Sequence, residues 1–504
     1  MKLFLSAQTK VCDAVTCENQ NITEKDLIQR AGNAFVETLQ NSGEDLSGKI
    51  IIFAGPGNNG ADGISIAKNL YSKFHDVELV LIPISKQYSD AFKFYLDNPV
   101  DQQPFPVHII KDAKQLNDIE DPDVFIDAVL GTGFNKETDK LLTSVINYIN
   151  NGGKRIISVD IPSGISADNS LFTTAVKANK TITFEFPKLS FFDPKTHPYV
   201  GEWLVAPINL DENWKVTEST NYSWVTKADI KDILKTRDRF SHKGDFGHSL
   251  IISGSYGKIG AAVLAGKACL RMGCGLVTMH LPKCGYEIMQ ISVPEAIVDV
   301  DPHQYYVSEI SLKDNFNAIA IGPGIGIQHH TERMFLEILE SKPTIPMVLD
   351  ADALNILAKE KDWLKQLPEG TILTPHPGEF NRLFGWEEDH LMNIENLIKL
   401  SIKYKIYIVL KGGYTTISTP EGNCYFNTTG NPGMATAGCG DALTGMIVSM
   451  LAQGYSRFEA CVTGVYLHGL AGDLALQKAE SQESMIATDL IASLGSAFKK
   501  MASS

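Results

Sequence analysis

The sequence GNPGMATAGCGDALTG, from Gly430 to Gly445, decides how the second half of this chain is expected to fold. Glycines and small residues precede a single carboxylate, Asp441, and an apolar run suited to a buried helix follows. The first N–H groups of such a helix lack internal partners, and the helix dipole favours negative charge beside them. The stretch therefore predicts an anion site with Asp441 as a base beside a phosphate. The alternative is that the glycines only permit tight helix packing and that Asp441 caps the helix.

The composition fits a protein of two α/β domains. The chain has 504 residues, of which 44% are hydrophobic and 21% are charged, enough to build two separate cores. Its formal net charge of −14 argues against nucleic acid or an anionic membrane as a partner. A phosphate-bearing ligand is therefore expected to be held by local features of the fold.

The N-terminal segment and the cysteines predict a cytoplasmic protein. The apolar run in MKLFLSAQTK is too short for a signal peptide, and no later segment has the uninterrupted apolar length of a membrane span. The 8 cysteines include no C-x-x-C pair and no zinc-binding spacing. We expect reduced, mostly buried thiols and no membrane partner.

A second glycine-rich segment, GPGNNGADG, lies between the apolar strand candidate KIIIFAG and a helix predicted from Ile64 to Tyr71. It matches the G-x-G-x-x-G pattern of dinucleotide sites. The next predicted strand, VELVLIP, ends without the acidic residue that would hold a ribose. We therefore expect a phosphate cradle flanked by Asn58, Asn59 and Asp62, and not a bound NAD coenzyme.

Strands that alternate with helices predict a doubly wound, parallel sheet in the first half of the chain. Asp127 and Asp160 fall at the ends of two of these strands, where the ligands of such sheets bind. The alternative for Asp127 is a turn residue at a strand end, whereas Asp160, which PSG follows at residues 162–164, is the stronger site candidate. The strands are predicted over Val124–Phe134, Lys154–Gly164 and Lys180–Lys188, and the helix between the first two over Leu141–Ile149.

A polar segment without clear periodicity, Pro207 to Trp224, predicts a domain boundary. We place the two domains over residues 1–218 and 225–504. The second domain again runs predicted strands into glycine-rich or polar loops, so it is expected to be an α/β unit with its own nucleotide-sized site. Within it, IYIVLKGGYTTIST predicts a strand, a turn at Gly412 and Gly413, and a return strand.

Ten motifs carry a resemblance to a known family. In chain order they are GPGNNGADG, DAVLGTG, VDIPSG, SHKGDFGH, SGSYGKIGA, IGPGIG, DADALN, TPHPGE, VLKGGYT and GNPGMATAGCGDALTG. The chain resembles the bifunctional NAD(P)H-hydrate repair enzymes over nearly its whole length. The resemblance implies an N-terminal epimerase domain with a Rossmann-like fold and a C-terminal, ADP- or ATP-dependent dehydratase domain with a ribokinase-like fold.

The resemblance implies a substrate site and an ion site in the first domain. A potassium ion would lie on Asn59, Asp127 and Ser163, whose oxygen atoms suit a hard cation. Asp160 would be the acid/base of epimerisation at the hydrated nicotinamide ring. The implied substrate-binding residues are Asn58, Asn59, Gly60, Ala61, Asp62, Gly131, Thr132, Gly133, Phe134, Asn135, Lys136, Glu137 and Asp160.

In the second domain the resemblance implies that Asp441 is the catalytic aspartate. Asp441 would deprotonate the ring hydroxyl as it accepts a phosphoryl group from the nucleotide, and departure of phosphate would restore the nicotinamide double bond. Glu379, in a loop that resembles the T-P-N-x-x-E loop of ribokinase-like kinases, would help hold Mg²⁺ through water. The implied substrate contacts are Ala261, Gly324, His376 and Asp441, and the implied nucleotide contacts are Lys411, Gly412, Gly413, Tyr414, Thr415 and Gly440.

Two side chains near this loop have alternative interpretations. Cys439 stands where the family usually has serine, and its thiol is either activated by the helix N-terminus or buried and inert. We favour the inert thiol. His468, on a predicted apolar helix, is expected to be a hydrogen-bonded core histidine and not a catalyst.

The predicted function is the repair of hydrated NADH and NADPH. The first domain would interconvert the R and S hydrates, and the second would dehydrate the S hydrate with ADP, in a protein expected to be a homo-oligomer. The alternative is a ribokinase-type small-molecule kinase joined to a Rossmann-like domain that only binds ligand. In a third interpretation the first domain is an interaction scaffold. A scaffold does not need ion ligands, so the residues of the implied ion site argue against this interpretation.

Overall fold

The computed structural model describes residues 1–85, 87–97, 103–133, 140–169, 172–312 and 315–502. The chain forms two compact units, the first within residues 2–220 and the second over most of residues 221–504. Both are built on sheets that are largely parallel. Among the described residues, no helix is both long enough and apolar enough to cross a membrane.

The first unit is built on a sheet whose described strands are all parallel, in the order β4-β3-β2-β5-β6-β7-β8. After the short β1 (Lys2–Leu3), its strands are β2 (Lys49–Ala54), β3 (Asp76–Leu81), β4 (Val107–Ile109), β5 (Val124–Ala128), β6 (Arg155–Val159), β7 (Lys180–Phe184) and β8 (Glu202–Ala206). Its helices are α1 (Ser6–Gln20), α2 (Glu24–Asn41), α3 (Asn58–Ser72), α4 (Asp90–Asp97), α5 (Lys140–Asn151), α6 (His197–Val200) and α7 (Glu212–Thr217).

Strand β2 is apolar throughout because both of its faces are covered. Ile50 and Ile52 pack into one hydrophobic core with α2 and α3, whereas Ile51 and Phe53 pack into a second core with α5. Alternate side chains of a strand point to opposite faces, so an uninterrupted apolar run is what a central strand of a doubly wound sheet requires. The predicted doubly wound sheet is confirmed.

The strand order places a switch point between β2 and β5. The chain runs outward from β2 through β3 and β4, and then from β5 through β6, β7 and β8 in the other direction. The loops that leave β2 and β5 therefore diverge at the carboxyl edge of the sheet, which is where open α/β sheets bind ligands.

The second unit has a mixed sheet in the order β9-β18-β17-β16-β15-β14-β13-β10-β11-β12. Its strands are β9 (Tyr222–Val225), β10 (His248–Ile252), β11 (Leu276–Pro282), β12 (Ile297–Asp301), β13 (Ala318–Ile321), β14 (Met347–Leu349), β15 (Ile372–Leu373), β16 (Tyr407–Leu410), β17 (Thr416–Ser418) and β18 (Cys424–Asn427). Its helices are α8 (Lys227–Ile233), α9 (Ile259–Arg271), α10 (Tyr286–Ser292), α11 (His329–Glu340), α12 (Ala351–Lys359), α13 (Pro377–Phe384), α14 (His390–Tyr404), α15 (Cys439–Ala452), α16 (Arg457–Leu476) and α17 (Ala487–Ala502).

This sheet also has a switch point, between β10 and β13. Strands β10, β11 and β12 follow one another in one direction, and β13 to β16 follow one another in the other. The predicted hairpin is confirmed, because β16 and β17 are antiparallel with Leu410 opposite Thr416. The Gly412–Gly413 turn thus lies at the carboxyl end of β16.

Helix α15 is buried between α9 and the sheet, and its glycines allow that contact. A methyl group built on Gly445 would lie 2.1 Å from the carbonyl oxygen of Ala265 in α9. Gly438, the residue before the helix, has φ of 94°, which L-amino acids with side chains rarely adopt. The packing interpretation of these glycines is therefore correct for Gly445, and among the described residues no side chain caps the N-terminus of α15.

Several predicted boundaries were wrong. Helix α3 begins at Asn58 and not at Ile64, because Gly60 brings it against the loop after β2, where a methyl group would lie 1.7 Å from the Gly55 carbonyl oxygen. The strands predicted to reach Gly164 and Lys188 stop at Val159 and Phe184, where left-handed residues, Asp160 and Glu185, turn the chain. The segment expected to be irregular, 207–224, contains α7 and the start of β9.

We expect Gly445→Ala to destabilise the second unit. The added methyl group meets backbone of α9, so the two helices must separate, and overpacking of this kind costs about 1–3 kcal/mol. The measurement is the urea midpoint followed by tryptophan fluorescence and circular dichroism.

The matched control is Gly495→Ala in α17, where a methyl group would meet nothing within 4 Å. An exposed Gly-to-Ala change in a helix raises stability by up to about 1 kcal/mol. Equal midpoints for the two variants would contradict the close α9–α15 contact.

Candidate functional sites

A cavity of about 820 Å³ opens at the switch point of the first unit. The loops after β2 and β5 form one side, and α1, α2 and the segments after β7 and β8 form the others. Its polar lining residues are Thr9, Lys10, Asp13, Cys17, Glu24, Asn58, Asn59, Asp62, Thr132, Asp160 and Lys188, and apolar side chains such as Leu27, Ile28, Phe184, Ile208 and Leu210 complete it. Apolar walls with a few polar groups are typical of a small-molecule site.

Asp127 and Ser163 form a buried hydrogen-bonded pair beneath this cavity. The Ser163 backbone N–H donates to Asp127 Oδ2 at 2.8 Å, and Ser158 Oγ donates to the same oxygen at 2.9 Å. The backbone N–H of Leu130 donates to Ser163 Oγ at 2.8 Å. The pair thus joins the ends of β5 and β6.

Asn59 adds an unpaired oxygen atom beside that pair. Its Nδ2 donates to the carbonyl oxygen of Leu130 at 2.8 Å, which fixes the orientation of the amide. Its Oδ1 is buried and has no hydrogen-bond partner among the described residues. A buried amide oxygen without a partner costs about 1–3 kcal/mol, so its retention requires an explanation such as a bound cation.

Asp160 is held in a strained turn and paired with a buried lysine. Its φ is 63°, and Lys188 Nζ lies 2.7 Å from its Oδ1. The Thr183 hydroxyl and the Phe184 backbone N–H donate to the same oxygen at 3.1 and 3.0 Å. A non-glycine residue in the left-handed region costs about 1–3 kcal/mol and is concentrated at functional sites.

Other acids around Asp160 have shifted pKa values. Burial raises the pKa of Asp62 well above its ordinary value, and the charges of Asp160 and Asp13 add to the effect. Burial also raises the pKa of Asp13 to about 6, with Asp160 adding to the rise and Lys188 opposing it. The cavity therefore holds one carboxyl group, Asp13, that titrates near neutral pH, and a second, Asp62, whose protonated form is favoured by burial.

The structure brings many of the sequence-predicted residues of this domain together. Asn58, Asn59, Asp62, Gly131, Thr132, Gly133 and Asp160 line the cavity. Gly60 and Ala61 do not line it, because they are buried where α3 packs on the sheet. The predicted residues Phe134, Asn135, Lys136 and Glu137 lie outside the described residues.

A buried ion pair lies at the centre of the second site. Lys411 Nζ lies 2.8 Å from Asp350 Oδ1 and 3.9 Å from Glu379 Oε2. The Thr444 hydroxyl donates to the other Asp350 oxygen at 2.7 Å. Burial lowers the pKa of Lys411, but the charges of Asp350 and Glu379 outweigh burial and hold that pKa above its ordinary value. The lysine is therefore a fixed cation.

Asp441 stands in the first turn of α15 beside this pair. The helix begins at Cys439, so the N–H groups of its first residues point out of its N-terminus. Burial raises the pKa of Asp441 to about 6, Asp350 adds to the rise, and Lys411 opposes it. A methyl group on Gly440 would lie 3.3 Å from Lys411 Nζ, so the glycine keeps the space beside the lysine open.

His376 caps α13 in the place of the asparagine expected from ribokinase-like kinases. Its Nδ1 accepts hydrogen bonds from the N–H groups of Gly378 and Glu379 at 3.0 and 3.4 Å, and its own N–H donates to Glu379 Oε2 at 2.8 Å. This capping box holds the Glu379 carboxylate towards Lys411. The histidine side chain therefore reproduces the geometric role of an asparagine cap.

Ala261 and Gly324 meet at the switch point of the second unit. A methyl group on Gly324 would lie 3.2 Å from Ala261 Cβ, and the Ser255 hydroxyl donates to the Gly324 carbonyl oxygen at 2.7 Å. Asp352 Oδ2 accepts from the Gly326 N–H at 2.8 Å and lies 3.2 Å from Lys258 Nζ. The two predicted substrate residues are thus adjacent.

The predicted nucleotide residues 411–415 form the turn between β16 and β17. Lys411 stands at its base in the ion pair, and the Gly412 N–H donates to Thr415 Oγ1 at 3.5 Å. A methyl group on Gly413 would meet nothing within 4 Å, so this side of the turn is open. Together with Gly440, the turn borders the N-terminus of α15.

The structure supports the inert interpretation of Cys439. Its side chain is buried, and burial raises the pKa of the thiol to about 11. His468 Nε2 lies 2.9 Å from the Cys439 carbonyl oxygen, and burial lowers the pKa of this histidine to about 4. A neutral His468 therefore donates to the first turn of α15, as expected for a hydrogen-bonded core histidine.

Sequence reasoning missed several residues of both sites. Lys188 and Asp13 lie outside the glycine-rich motifs, and only the fold brings them to Asp160. Asp350 and Asp352 belong to the quoted DADALN motif, which could have identified them because they follow a buried strand. Thr444 gave no signal beyond its place in the apolar helix.

These two sites define a two-domain enzyme in which a Rossmann-like unit with an acidic cavity is joined to a ribokinase-like, phosphate-binding unit. Residues 249–495 match the family model described as NAD(P)H-hydrate dehydratase, and residues 24–190 match the one described as YjeF-related protein N-terminus. The chain is 33% identical to the bifunctional NAD(P)H-hydrate repair enzyme Nnr of Moorella thermoacetica, over 97% of this chain and 95% of that protein. The chain therefore belongs to the family of bifunctional NAD(P)H-hydrate repair enzymes.

Two further comparisons agree with this assignment. The Nnr enzyme of Thermofilum pendens is 32% identical over 95% of this chain and 93% of that protein. The crystal structure of ADP/ATP-dependent NAD(P)H-hydrate dehydratase from Bacillus subtilis, co-crystallized with ATP and Mg²⁺, matches with a TM-score of 0.50 and 32% identity. The match covers 56% of this chain and 100% of the Bacillus chain.

We expect Asp441→Asn to stabilise the protein near neutral pH. Because folding raises the pKa of Asp441 from 3.8 to about 6, its contribution to stability is present below pH 3.8 and is lost as the pH rises through 6. Asparagine has no titrating carboxyl group, so the variant does not lose this stability as the pH rises. Because solvent screens a half-buried group, the resulting gain is limited to about 1–3 kcal/mol. The measurement is the free energy of unfolding at pH values of about 7.5 and about 4.5.

The stabilisation should be at least halved at the lower pH. Glu480→Gln, which removes an exposed carboxylate, is the control and should have no effect at either pH. A stabilisation by Asp441→Asn that is independent of pH would contradict the raised pKa.

Proposed function

We propose that this chain repairs hydrated NADH and NADPH, with the first unit epimerising the R and S hydrates and the second dehydrating the S hydrate with ADP. The observation that carries the proposal is the position of Asp441, a carboxylate of raised pKa at a helix N-terminus beside Lys411. Family membership supports the choice of substrate. The homo-oligomer and the cytoplasmic location stay predictions.

The second unit would remove the hydroxyl group in two steps. Hydroxide is a poor leaving group, so the ring hydroxyl is first phosphorylated. Asp441 takes the proton of the hydroxyl group while the hydroxyl oxygen attacks the terminal phosphorus of the nucleotide. The N–H groups at the start of α15 and the Lys411 ammonium stabilise the transferring oxygens. The C–O bond then breaks, phosphate leaves, and loss of a proton from the neighbouring carbon restores the double bond.

The substrate would enter next to the nucleotide. Ala261 and Gly324 supply a surface without bulky side chains, and His376, the N-cap of α13, would contact the substrate as well. Asp352 accepts a hydrogen bond from the Gly326 N–H near this surface, and its charge contributes to the raised pKa of Asp441. Lys411 to Thr415 and Gly440 would hold the nucleotide.

The donor set fits Mg²⁺ held through water and phosphate. Among the described residues, no three His, Cys, Asp or Glu side chains converge as a direct metal site. Mg²⁺ usually keeps several waters and binds one or two carboxylates plus phosphates, which suits Glu379 and Asp350 beside the open space at Gly440. When bound, the ion would neutralise charge on the phosphoryl oxygens.

The first unit would interconvert the hydrates in its acidic cavity. Asp160 is held as a hydrogen-bond acceptor by Lys188, Thr183 and the Phe184 backbone, and it faces the same space as Asp62. Burial raises the pKa of Asp62 well above its ordinary value and so favours the protonated acid. The cavity thus offers an acid and a base for a reaction that must break and remake a bond to hydroxyl.

A potassium ion fits the donors beneath that cavity. Asn59 Oδ1 is buried and has no partner within the described part of the chain. Leu130 links Asn59 to Ser163 and Asp127, which supply a hydroxyl and a carboxylate. Oxygen ligands of this kind suit a hard cation. The ion would fix the β5 and β6 loops that shape the cavity.

The function is tested by adding ADP or ATP to chemically prepared NADH hydrate and following the return of dihydronicotinamide absorbance. Asp441→Ala should abolish this return, by at least about 1,000-fold, because it removes the base. It should leave interconversion of the R and S hydrates, followed by chromatography, unchanged.

Wild-type protein that restores no absorbance with either nucleotide would contradict the dehydratase function. Loss of both activities in folded Asp441→Ala would contradict separate sites. Cys439→Ser, which changes a buried side chain to the usual family residue, is the matched control and should keep full activity.

We expect K⁺ to raise the thermal stability of the wild type, and Asn59→Ala to remove that effect. The variant deletes the unpaired oxygen together with the hydrogen bond from Asn59 Nδ2 to the Leu130 carbonyl oxygen, and circular dichroism establishes that it is folded. Asn69→Ala, on the same helix but outside the cavity, should respond to K⁺ as the wild type does. Equal responses from all three proteins would contradict an ion at Asn59.

A further inference from the structure

One face of α1 forms a wall of the first-unit cavity. Thr9, Asp13 and Cys17, each four residues from the next, line the cavity together with Lys10 and Ala14. Residues four apart share a face of an α-helix, so this wall is a regular feature of α1. Asp13 therefore faces the cavity from α1, a helix that contains none of the glycine-rich motifs.

The Asp13 carboxylate is free to act on a ligand. Within the described parts of the chain, no hydrogen bond or ion pair engages it. Asp160, in contrast, has one oxygen fixed by Lys188, Thr183 and the Phe184 backbone. A half-buried acid that faces a cavity and has no structural partner is a candidate for proton transfer.

The charged groups around Asp13 keep its proton exchangeable near neutral pH. Burial raises its pKa to about 6, the carboxylates of Asp160 and Glu24 add to the rise, and the Lys188 ammonium limits it. An acid that titrates near the working pH can both donate and accept a proton. The titratable groups that share the cavity with it are Lys10, Cys17, Glu24, Asp62, Asp160 and Lys188.

Epimerisation of the hydrate requires proton transfer at two positions. Water adds to an enamine with its hydroxyl on the carbon bonded to nitrogen, so that carbon is the one whose configuration must invert. Inversion by loss and return of water needs one group to protonate the departing hydroxyl and another to deprotonate the water that returns to the opposite face. Groups on different walls of the cavity meet this requirement.

We propose that Asp13 is a second catalytic proton-transfer residue of this cavity, acting from α1 while Asp160 acts from the end of β6. The proposal rests on the epimerase function proposed above and adds a residue to it. Asp13 donates its proton to the ring hydroxyl, the C–O bond breaks with both electrons leaving on water, and the nitrogen lone pair forms a C=N bond. Water then adds to the other face, the C=N electrons return to nitrogen, and Asp160 takes the released proton. Exchange with solvent returns the carboxyl groups to their starting state.

The test is the pH dependence of epimerisation by the full chain without nucleotide, with R and S hydrates separated by chromatography and the spontaneous rate subtracted. We expect Asp13→Asn to lower kcat about 100-fold with little change in KM. The variant should also lose the limb of the wild-type profile near pH 6. Asp13→Glu should restore part of the rate, because it returns an acid to the same wall.

Glu18→Gln is the matched control, since Glu18 is an exposed acid on the same helix. It should keep the wild-type rate and profile. Circular dichroism and the thermal midpoint establish that each variant is folded, and Asp13→Ser provides a smaller replacement if the amide perturbs the helix.

The inference is overturned if folded Asp13→Asn keeps its kcat within about threefold, or keeps the limb near pH 6. A rise in KM at unchanged kcat also overturns it, because Asp13 would then bind substrate without transferring a proton. A wild-type profile without that limb overturns it even if no variant folds. Failure of the wild type to epimerise at all contradicts the proposed function, which is a separate outcome.

Discussion

Asp350 joins three elements of the second unit through one carboxylate. It ends β14, pairs with Lys411 at the end of β16 at 2.8 Å, and accepts a hydrogen bond from Thr444 in α15 at 2.7 Å. Removing one partner of a buried ion pair costs about 3–5 kcal/mol, so each element constrains the others. The position of the α15 N-terminus, and with it Asp441, depends on this contact. Burial raises the pKa of Asp441, and the charge of Asp350 adds to the rise.

The two units position the acidic side chains of their sites in similar ways. Each places its acids at the carboxyl edge of a largely parallel sheet, at the point where strand order reverses. Each has a left-handed, non-glycine residue close to a strand end, Asp160 directly after β6 with φ of 63° and Ala351 two residues after β14 with φ of 48°. Each pairs a carboxylate of its site with a lysine that follows another strand of the same sheet. The free-energy cost of the strained residues and of the buried charges is offset by the packed cores on both faces of each sheet.

The sequence predicted the parts of this arrangement that depend on local pattern. Apolar runs identified the central strands, and glycine-rich turns after them identified both switch-point sites, because those signals lie within a few residues of each other. The start of α3 was misplaced because Asn58–Asp62 look like loop residues, and only packing against Gly55 makes them helical. Asp13 and Lys188 could not be found by pattern, since they reach Asp160 only through tertiary contacts.

The fate of the hydroxyl oxygen shows whether the ring hydroxyl is phosphorylated before it leaves. If Asp441 activates the ring hydroxyl as a nucleophile towards phosphorus, the oxygen leaves bonded to phosphorus. The measurement gives S hydrate, prepared with a heavy oxygen isotope in that hydroxyl, to the Asp160→Ala variant, and mass spectrometry follows the phosphate released with ADP or ATP. The variant is used because epimerisation by loss and return of water would exchange the label with solvent. The account predicts one labelled oxygen in each phosphate formed per dihydronicotinamide restored. Label found in water, with unlabelled phosphate, would contradict it.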